Sequence, residues 1–192
     1  KGCVVEVTRR GEVIPHIERK VKDNGGVPFI DPEECPSCGS LTVRKDDFLY
    51  CSTPETCDAS GVGRIKHFLS VLEVDGFGDK IIKVLYDSGL VTSPEQLFAL
   101  TEDSIIEGFN DYKGDKQNRM GEKTAKKLVA EIQAKRTLPL DVFLRSLGIK
   151  ELGKHVSKIL ADKCDTLNEV FQLTEDDLLS IDSIGESIAT SV

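Results

Sequence analysis

Two different hydrophobic periods divide the chain. On both sides of Gly11, apolar and polar residues alternate in CVVEVTRR and VIPHIERKV, which predicts two strands joined by a turn. Beyond residue 62, apolar residues recur at helical spacing in IKHFLSVL, DKIIKVLYDSG, EKTAKKLVAEIQA and KHVSKILADKC. The expected fold is therefore mainly α with a small β part.

Four of the six cysteines lie between these regions with the spacing C-x2-C-x12-C-x5-C. They are Cys35, Cys38, Cys51 and Cys57. Two turns that each offer a pair of thiolates are typical of a zinc ribbon, whereas the alternative is two disulfides of a secreted mini-domain. Because no signal peptide is recognisable and the surrounding sequence is acidic and helical, zinc is favoured. Four thiolates fill the coordination shell, so the metal is expected to be structural.

The helical region contains an internal repeat. SPEQLFALTEDSI at 93–105 aligns without gaps with TLNEVFQLTEDDL at 166–178. Around this anchor, a turn that ends in an apolar residue and then glycine recurs, and each turn leads into an amphipathic helix or the start of one. The terminal glycines are Gly78, Gly121, Gly153 and Gly185. We interpret the region as two copies of a two-hairpin unit, the first extended by NDYKGDKQN at 110–118.

Such a turn can hold a phosphate group. Glycine permits a positive φ and close approach, and the N–H groups of the turn and of the next helix converge where the helix dipole is positive. The predicted contact residues are Gly76, Gly78, Lys80, Gly121, Lys123, Gly148, Gly153, Lys154 and Gly185. The alternative is a purely structural helical array. The fourth hairpin fits that alternative, since Glu186 and Ser187 stand where lysine is expected.

The charge of the chain limits the kind of contact. A formal net charge of -8 argues against a broadly basic surface, so any contact with nucleic acid must be focused and use backbone N–H groups. Arg9 and Arg10, beside the Gly11 turn, are further candidates for phosphate contacts, and a solvated hairpin tip explains them nearly as well. No stretch approaches the ~20 apolar residues of a membrane helix, so a membrane partner is not expected.

A strand pair ending in RRGEVIPHIERKV, a ribbon beginning CPSCG and four helix-hairpin-helix turns, in this order, resemble the C-terminal half of bacterial NAD-dependent DNA ligases. In that family the RRGEVIP-like segment closes an oligonucleotide-binding barrel, and IKHFLS and FLRSLGIKELGKH lead into the first and third hairpins. The resemblance implies strands of an OB-fold at 1–30, a four-cysteine zinc finger at 31–62 and a helix-hairpin-helix domain at 63–192. The units of that domain would span about 63–138 and 139–192.

The resemblance implies a function in DNA ligation. The chain would grip the backbone of nicked double-stranded DNA without sequence specificity, while an upstream adenylation domain of the same chain seals the nick. NAD and Mg²⁺ would bind outside this region. The nearest string to the K-x-D-G nucleophile motif, KVKDNGG at 20–26, does not match it, so no catalytic residue is expected here and this fragment alone should be inactive.

Further expectations concern the setting of the chain and the competing functions. We expect a fragment of a longer cytoplasmic, nucleoid-associated protein that acts as a monomer. Two alternatives stay open: a helix-hairpin-helix DNA-repair nuclease or accessory protein, and a zinc-stabilised protein-interaction scaffold. The acidity of residues 141–192, with five Lys/Arg against ten Asp/Glu, favours the scaffold.

Overall fold

The computed structural model describes residues 2–11, 13–27, 30–112 and 119–192. The chain divides into two compact units, Lys1–Ser52 and Thr53–Val192. Within the described residues, the first unit contains strands and the second contains helices. The expected fold class, mainly α with a small β part, is confirmed. None of the described helices combines the length and apolar character that crossing a membrane requires.

The first unit contains two β-hairpins. Strand β1, Cys3–Arg10, pairs antiparallel with β2, Ile14–Asp23, around the turn at Gly11 that the alternating pattern predicts. Strand β3, Thr42–Lys45, pairs antiparallel with β4, Phe48–Cys51. Nearly every residue of β1 and β2 is exposed within this chain. The alternation therefore predicted the strands, although no described residue of the chain buries their apolar side chains.

The second unit repeats one order of helices. The helices are α1 Asp58–Val71, α2 Asp79–Asp87, a 3-10 helix Pro94–Ala99, α3 Glu102–Asp111, α4 Glu122–Gln133, α5 Leu140–Ser146, α6 Lys154–Lys163, α7 Leu167–Gln172, α8 Glu175–Leu179 and α9 Glu186–Ser191. The elements from α1 to α4 correspond in order to those from α5 to α9, with the 3-10 helix matching α7. The order of elements agrees with the two-copy interpretation.

The extra length of the first copy is distributed differently from the prediction. Helix α3 has 10 residues and its counterpart α8 has 5. Since the two helices begin at equivalent threonines, part of the extra length lies within α3, ahead of the 110–118 segment to which the sequence assigned it. Residues 113–118 of that segment lie outside the described residues.

Each copy of the repeat has its own hydrophobic core. The first is built around Ile65, Leu85 and Leu128, and the second around Leu144 and Leu160. These side chains are at most 2% exposed. Burying one such side chain contributes about 1.5–3 kcal/mol, so each core stabilises its own pair of hairpins.

The two LTED strings open helices. The Thr101 hydroxyl accepts the Ser104 amide at 3.1 Å, and the Thr174 hydroxyl accepts the Asp177 amide at 3.2 Å. The Asp177 carboxylate in turn accepts from the hydroxyl and amide of Thr174, and these bonds lower the pKa of Asp177. The threonine of each repeated string is thus an N-cap.

Two glycines of α1 provide a matched test of this packing. A Cβ atom on Gly61 would come within 2.6 Å of the Tyr86 ring, whereas one on Gly63 would meet nothing within 4 Å. We expect Gly61→Ala to lower the free energy of unfolding by about 1–3 kcal/mol through overpacking. Gly63→Ala should raise it by about 0.5–1 kcal/mol, because alanine favours the helix. Urea denaturation of both variants measures this, and changes of the same sign would contradict the packing described.

Candidate nucleic-acid interface and metal centre

The four hairpin turns are anchored by the apolar residue before each terminal glycine. Phe77, Leu152 and Ile184 are at most 8% exposed, and Met120 packs half-buried against the first core. Each of these side chains belongs to a hydrophobic core or packs against one. The glycine that follows therefore lies at the start of a helix whose position the core fixes.

In the first, third and fourth hairpins, positive φ angles occur two residues before the terminal glycine. They are found at Gly76 (93°), Glu151 (67°) and Ser183 (73°). The terminal glycines themselves have extended backbone, with φ values of -71°, -82°, -80° and -97° at Gly78, Gly121, Gly153 and Gly185. Each terminal glycine is the N-cap of the next helix, and an N-cap takes a β-region conformation.

No contact within the described chain requires glycine at these four positions. A Cβ atom on Gly78, Gly121, Gly153 or Gly185 would meet no atom within 4 Å. Gly76 and Gly148 differ, because each has a positive φ and a Cβ there would lie 3.0 Å from Leu128 or 3.1 Å from His67, respectively. The structure explains Gly76 and Gly148 by turn geometry, and it leaves open surface beside the terminal glycines.

The helices that follow the terminal glycines receive no side-chain cap. Thr101, Thr166 and Thr174, in contrast, each accept an amide of the helix that they open. The N-caps Cys57 and Pro139, which open α1 and α5, also provide no cap. A helix start without a side-chain cap is therefore not unique to the hairpins. In all four hairpins, however, such a start coincides with a glycine beside which a Cβ atom would meet no other atom.

The first-turn amides of these helices are accordingly available. Among the described residues, no hydrogen bond is made by the amides of Lys154, His155 and Val156 in α6. In α4 the Thr124 amide donates to the Gly121 carbonyl at 2.9 Å, which leaves those of Glu122 and Lys123. Such amides, aligned with the positive end of a helix dipole, form an anion site when an acceptor approaches.

Local charge ranks the four hairpins. Lys80, Lys123 and Lys154 are exposed, and none forms an ion pair within the described part of the chain. Acidic residues occupy the first turns of α2, α4 and α9, and none lies in the first turn of α6. Because a carboxylate in the first turn repels an incoming phosphate, α6 has the most favourable N-terminus.

Further lysines on the same helices were missed by the sequence analysis. Lys126 and Lys127 on α4 and Lys158 on α6 are exposed. They lie three or four residues beyond the hairpin lysines and therefore one turn further along the same face. The spacing of three or four residues after Lys123 and Lys154 was the signal that could have identified them.

The two candidate arginines of the first unit have different surroundings. Arg10 donates to both carboxylate oxygens of Glu18, at 3.1 and 3.2 Å. Arg9 is exposed and makes no hydrogen bond or ion pair within the described residues. Arg9 is therefore the less constrained of the two for contact with an anion.

The four clustered cysteines could hold a metal ion. The Sγ atoms of Cys35, Cys38, Cys51 and Cys57 all lie within 4.8 Å of one another, with 3.5 Å between those of Cys38 and Cys51. Four bonds of about 2.3 Å around a tetrahedral ion separate sulfurs by about 3.8 Å, which fits this cluster. Hydrogen bonds from the Ser40 hydroxyl and amide lower the pKa of Cys38 to about 6, which favours the metal-binding thiolate.

Comparisons with known proteins agree with these features. Residues 142–192 match the helix-hairpin-helix motif family. The whole chain is 35% identical to a DNA ligase of Macrococcus caseolyticus (strain JCSC5402) and 32% identical to a DNA ligase of Syntrophus aciditrophicus (strain SB). In both cases the chain spans 28% of the length of the curated relative. The resemblance to bacterial DNA ligases is therefore confirmed, and the chain is similar over its full length to one portion of these proteins.

Proposed function

We propose that this chain is the DNA-binding, C-terminal portion of an NAD-dependent DNA ligase. It grips the sugar-phosphate backbone of nicked duplex DNA, and an upstream adenylation domain of the same polypeptide performs the ligation. The whole-length similarity to DNA ligases and the helix-hairpin-helix match support this proposal. NAD and Mg²⁺ would act in the upstream domain.

One observation carries the proposal. Four terminal glycines have an ordinary N-cap backbone, open space at the Cβ position and no side chain that caps the helix they open. Serine or threonine would cap these helices better, and the chain uses threonine at three other helix starts. Glycine at the N-caps of the hairpin helices is explained if an acceptor from outside the chain approaches the helix N-terminus. A DNA phosphate is such an acceptor.

The chemistry of such a contact is independent of base sequence. Two or three amides of the first turn would donate to phosphate oxygens, the helix dipole would add its positive end, and the adjacent lysine would contribute a charge-assisted bond. Contacts to phosphate position a protein without reading bases. This mode of binding suits an enzyme that must seal nicks in any sequence, and it is compatible with a net charge of -8.

The hairpins are proposed to contribute unequally. The third combines Lys154 at the first helical position with an acid-free first turn. The second has Lys123 followed by Lys126 and Lys127. The first is weaker, because Asp79 lies beside Lys80 and forms an ion pair with Lys66 at 2.8 Å. The fourth, with Glu186 and a helix of 6 residues, is proposed to be structural.

The cysteine cluster is proposed to bind a structural Zn²⁺. Cys35, Cys38, Cys51 and Cys57 would supply four thiolates, which matches the preference of zinc and leaves no position for water or substrate. The first unit has few buried side chains, and within such a segment a metal supplies folding free energy that a core would otherwise provide.

Replacing a terminal glycine by serine separates binding from stability. In Gly153→Ser the new hydroxyl accepts a first-turn amide and caps α6, so we expect the free energy of unfolding to stay equal or rise by a few tenths of a kcal/mol. The same hydroxyl blocks the approach of phosphate, so affinity for nicked duplex should fall about tenfold or more. Thermal unfolding and fluorescence anisotropy with a labelled nicked duplex measure the two effects.

Gly185→Ser is the matched control for this variant. It makes the same chemical change in the fourth hairpin, where we expect no loss of affinity. Unchanged binding by Gly153→Ser, with the protein folded, would refute the proposed contact between amides and phosphate.

A second comparison ranks backbone against side-chain contacts. Gly121→Val and Gly153→Val should weaken duplex binding more than Lys123→Ala and Lys154→Ala, since the valine side chain excludes phosphate from all the amides of a turn. Each lysine variant should also reduce the magnitude of the log-affinity against log-salt slope by about 1. Binding titrations at several salt concentrations test this, and equal or smaller losses in the glycine variants would contradict backbone gripping.

Metal content tests the proposed zinc site. Purified protein should contain about one zinc ion per chain, and Cys51→Ser should contain much less, because a thiolate ligand is lost. Cys3→Ser is the control, since Cys3 is exposed and lies outside the cluster. Elemental analysis by mass spectrometry decides the matter, and full zinc content in Cys51→Ser would rule out this ligand set.

A further inference from the structure

The two copies of the repeat meet beside an open groove. Their hydrophobic cores are separate clusters. The groove has a volume of about 1140 Å³, with α1 on one side and α5 and the third turn on the other. Val142 of α5 packs against the first core, and polar contacts between α1 and α5 act in addition to this packing.

Helices α1 and α5 hydrogen-bond to each other reciprocally near their C-terminal ends. The His67 Nε2 atom of α1 lies 3.0 Å from the Arg145 carbonyl of α5. The Arg145 guanidinium donates to the Val71 carbonyl, the last residue of α1, at 3.4 Å. These helices lead into the first and third hairpin turns, respectively, so the two bonds join the copies where both turns begin.

His67 also contacts the third turn itself. The Arg145 carbonyl accepts the Gly148 amide at 3.3 Å in addition to His67. Gly148 has a φ of +68°, and a Cβ atom there would lie 3.1 Å from Cδ2 of the His67 ring. The His67 imidazole therefore lies beside Gly148, where the chain leaves α5 and turns toward Gly153 and α6.

We propose that His67 is a positioning residue for DNA binding: by holding the Arg145 carbonyl and Gly148, it orients the third hairpin, and hence the N-terminus of α6, relative to the first copy of the repeat. This inference rests on the proposed function, since it concerns how the phosphate sites are aligned. His67 itself would not touch DNA.

The hydrogen bond between His67 and the Arg145 carbonyl determines which variants of His67 test this proposal. A carbonyl only accepts, so Nε2 of His67 must carry the proton in this contact. Glutamine can present an N–H group at a similar distance, whereas leucine cannot. His67 is a better target than Arg145, because the Arg145 bond is longer and its Nε atom is buried without a partner among the described residues. Removing the Arg145 guanidinium would therefore remove both its bond to the Val71 carbonyl and a buried Nε atom without a partner.

The first experiment measures affinity of the whole chain for a nicked duplex, together with thermal unfolding. We expect His67→Leu to bind about tenfold more weakly and His67→Gln to stay within about twofold of the parent. The melting temperature should differ by only a few degrees. Ser70→Ala, at an exposed position of the same helix, is the control and should change neither quantity. If the leucine variant unfolds, His67→Asn replaces it, since its amide is too short to reach the carbonyl and the same loss is expected.

A double-mutant cycle shows whether His67 acts through the third hairpin. The loss caused by Lys154→Ala should shrink when His67→Leu is already present, because a misplaced α6 no longer engages its phosphate. The loss caused by Lys123→Ala, in the second hairpin, should stay the same in both backgrounds. Additive losses for His67→Leu and Lys154→Ala would overturn the inference, as would a glutamine variant as weak as the leucine variant.

The two proposals fail differently. A parent chain that does not bind nicked duplex would refute the proposed function and this inference with it. A parent chain that binds, and loses affinity in Lys154→Ala but not in His67→Leu, would refute the positioning role alone.

Discussion

The structure depends on how the free N–H groups at helix starts are satisfied. A helix leaves its first amides without partners inside the helix, and each must find an acceptor from a side chain, water or a ligand. Thr101, Thr166 and Thr174 satisfy this requirement within the chain. The terminal glycines of the hairpins do not, and they keep the space in front of those amides open. The proposed DNA contact follows from this difference between two kinds of helix start.

Packing in the rest of the helical unit positions the uncapped N-termini of the hairpin helices. An apolar side chain before each glycine, such as Phe77 or Leu152, packs into the core and fixes the turn. The two cores are separate clusters, so each pair of hairpins packs around its own core. Packing of Val142 against the first core joins the two pairs, and the bonds between α1 and α5 are proposed to align them. Packing therefore provides the geometry, and in the proposed DNA contact electrostatics would provide the affinity.

Much of this arrangement could be predicted from the sequence, because its causes are local. Helical periodicity, the LTED caps, the cysteine spacing and the apolar residues before the glycines all depend on neighbours within a few positions. The sequence does not show which residue of a turn takes the positive φ angle. Glu151 and Ser183 take it although neither is glycine. The contact between His67 and Arg145 joins residues 78 positions apart, and no local pattern indicates it.

The most direct test observes the amides themselves. In ¹H–¹⁵N spectra recorded while nicked duplex is added at low salt, the amides of residues 154–156 should shift and gain protection from exchange. The amides of residues 175–177, at the helix start that Thr174 caps, should change little. Equal changes at both helix starts, or changes confined to lysine side chains, would contradict the claim that the hairpin amides bind DNA phosphate.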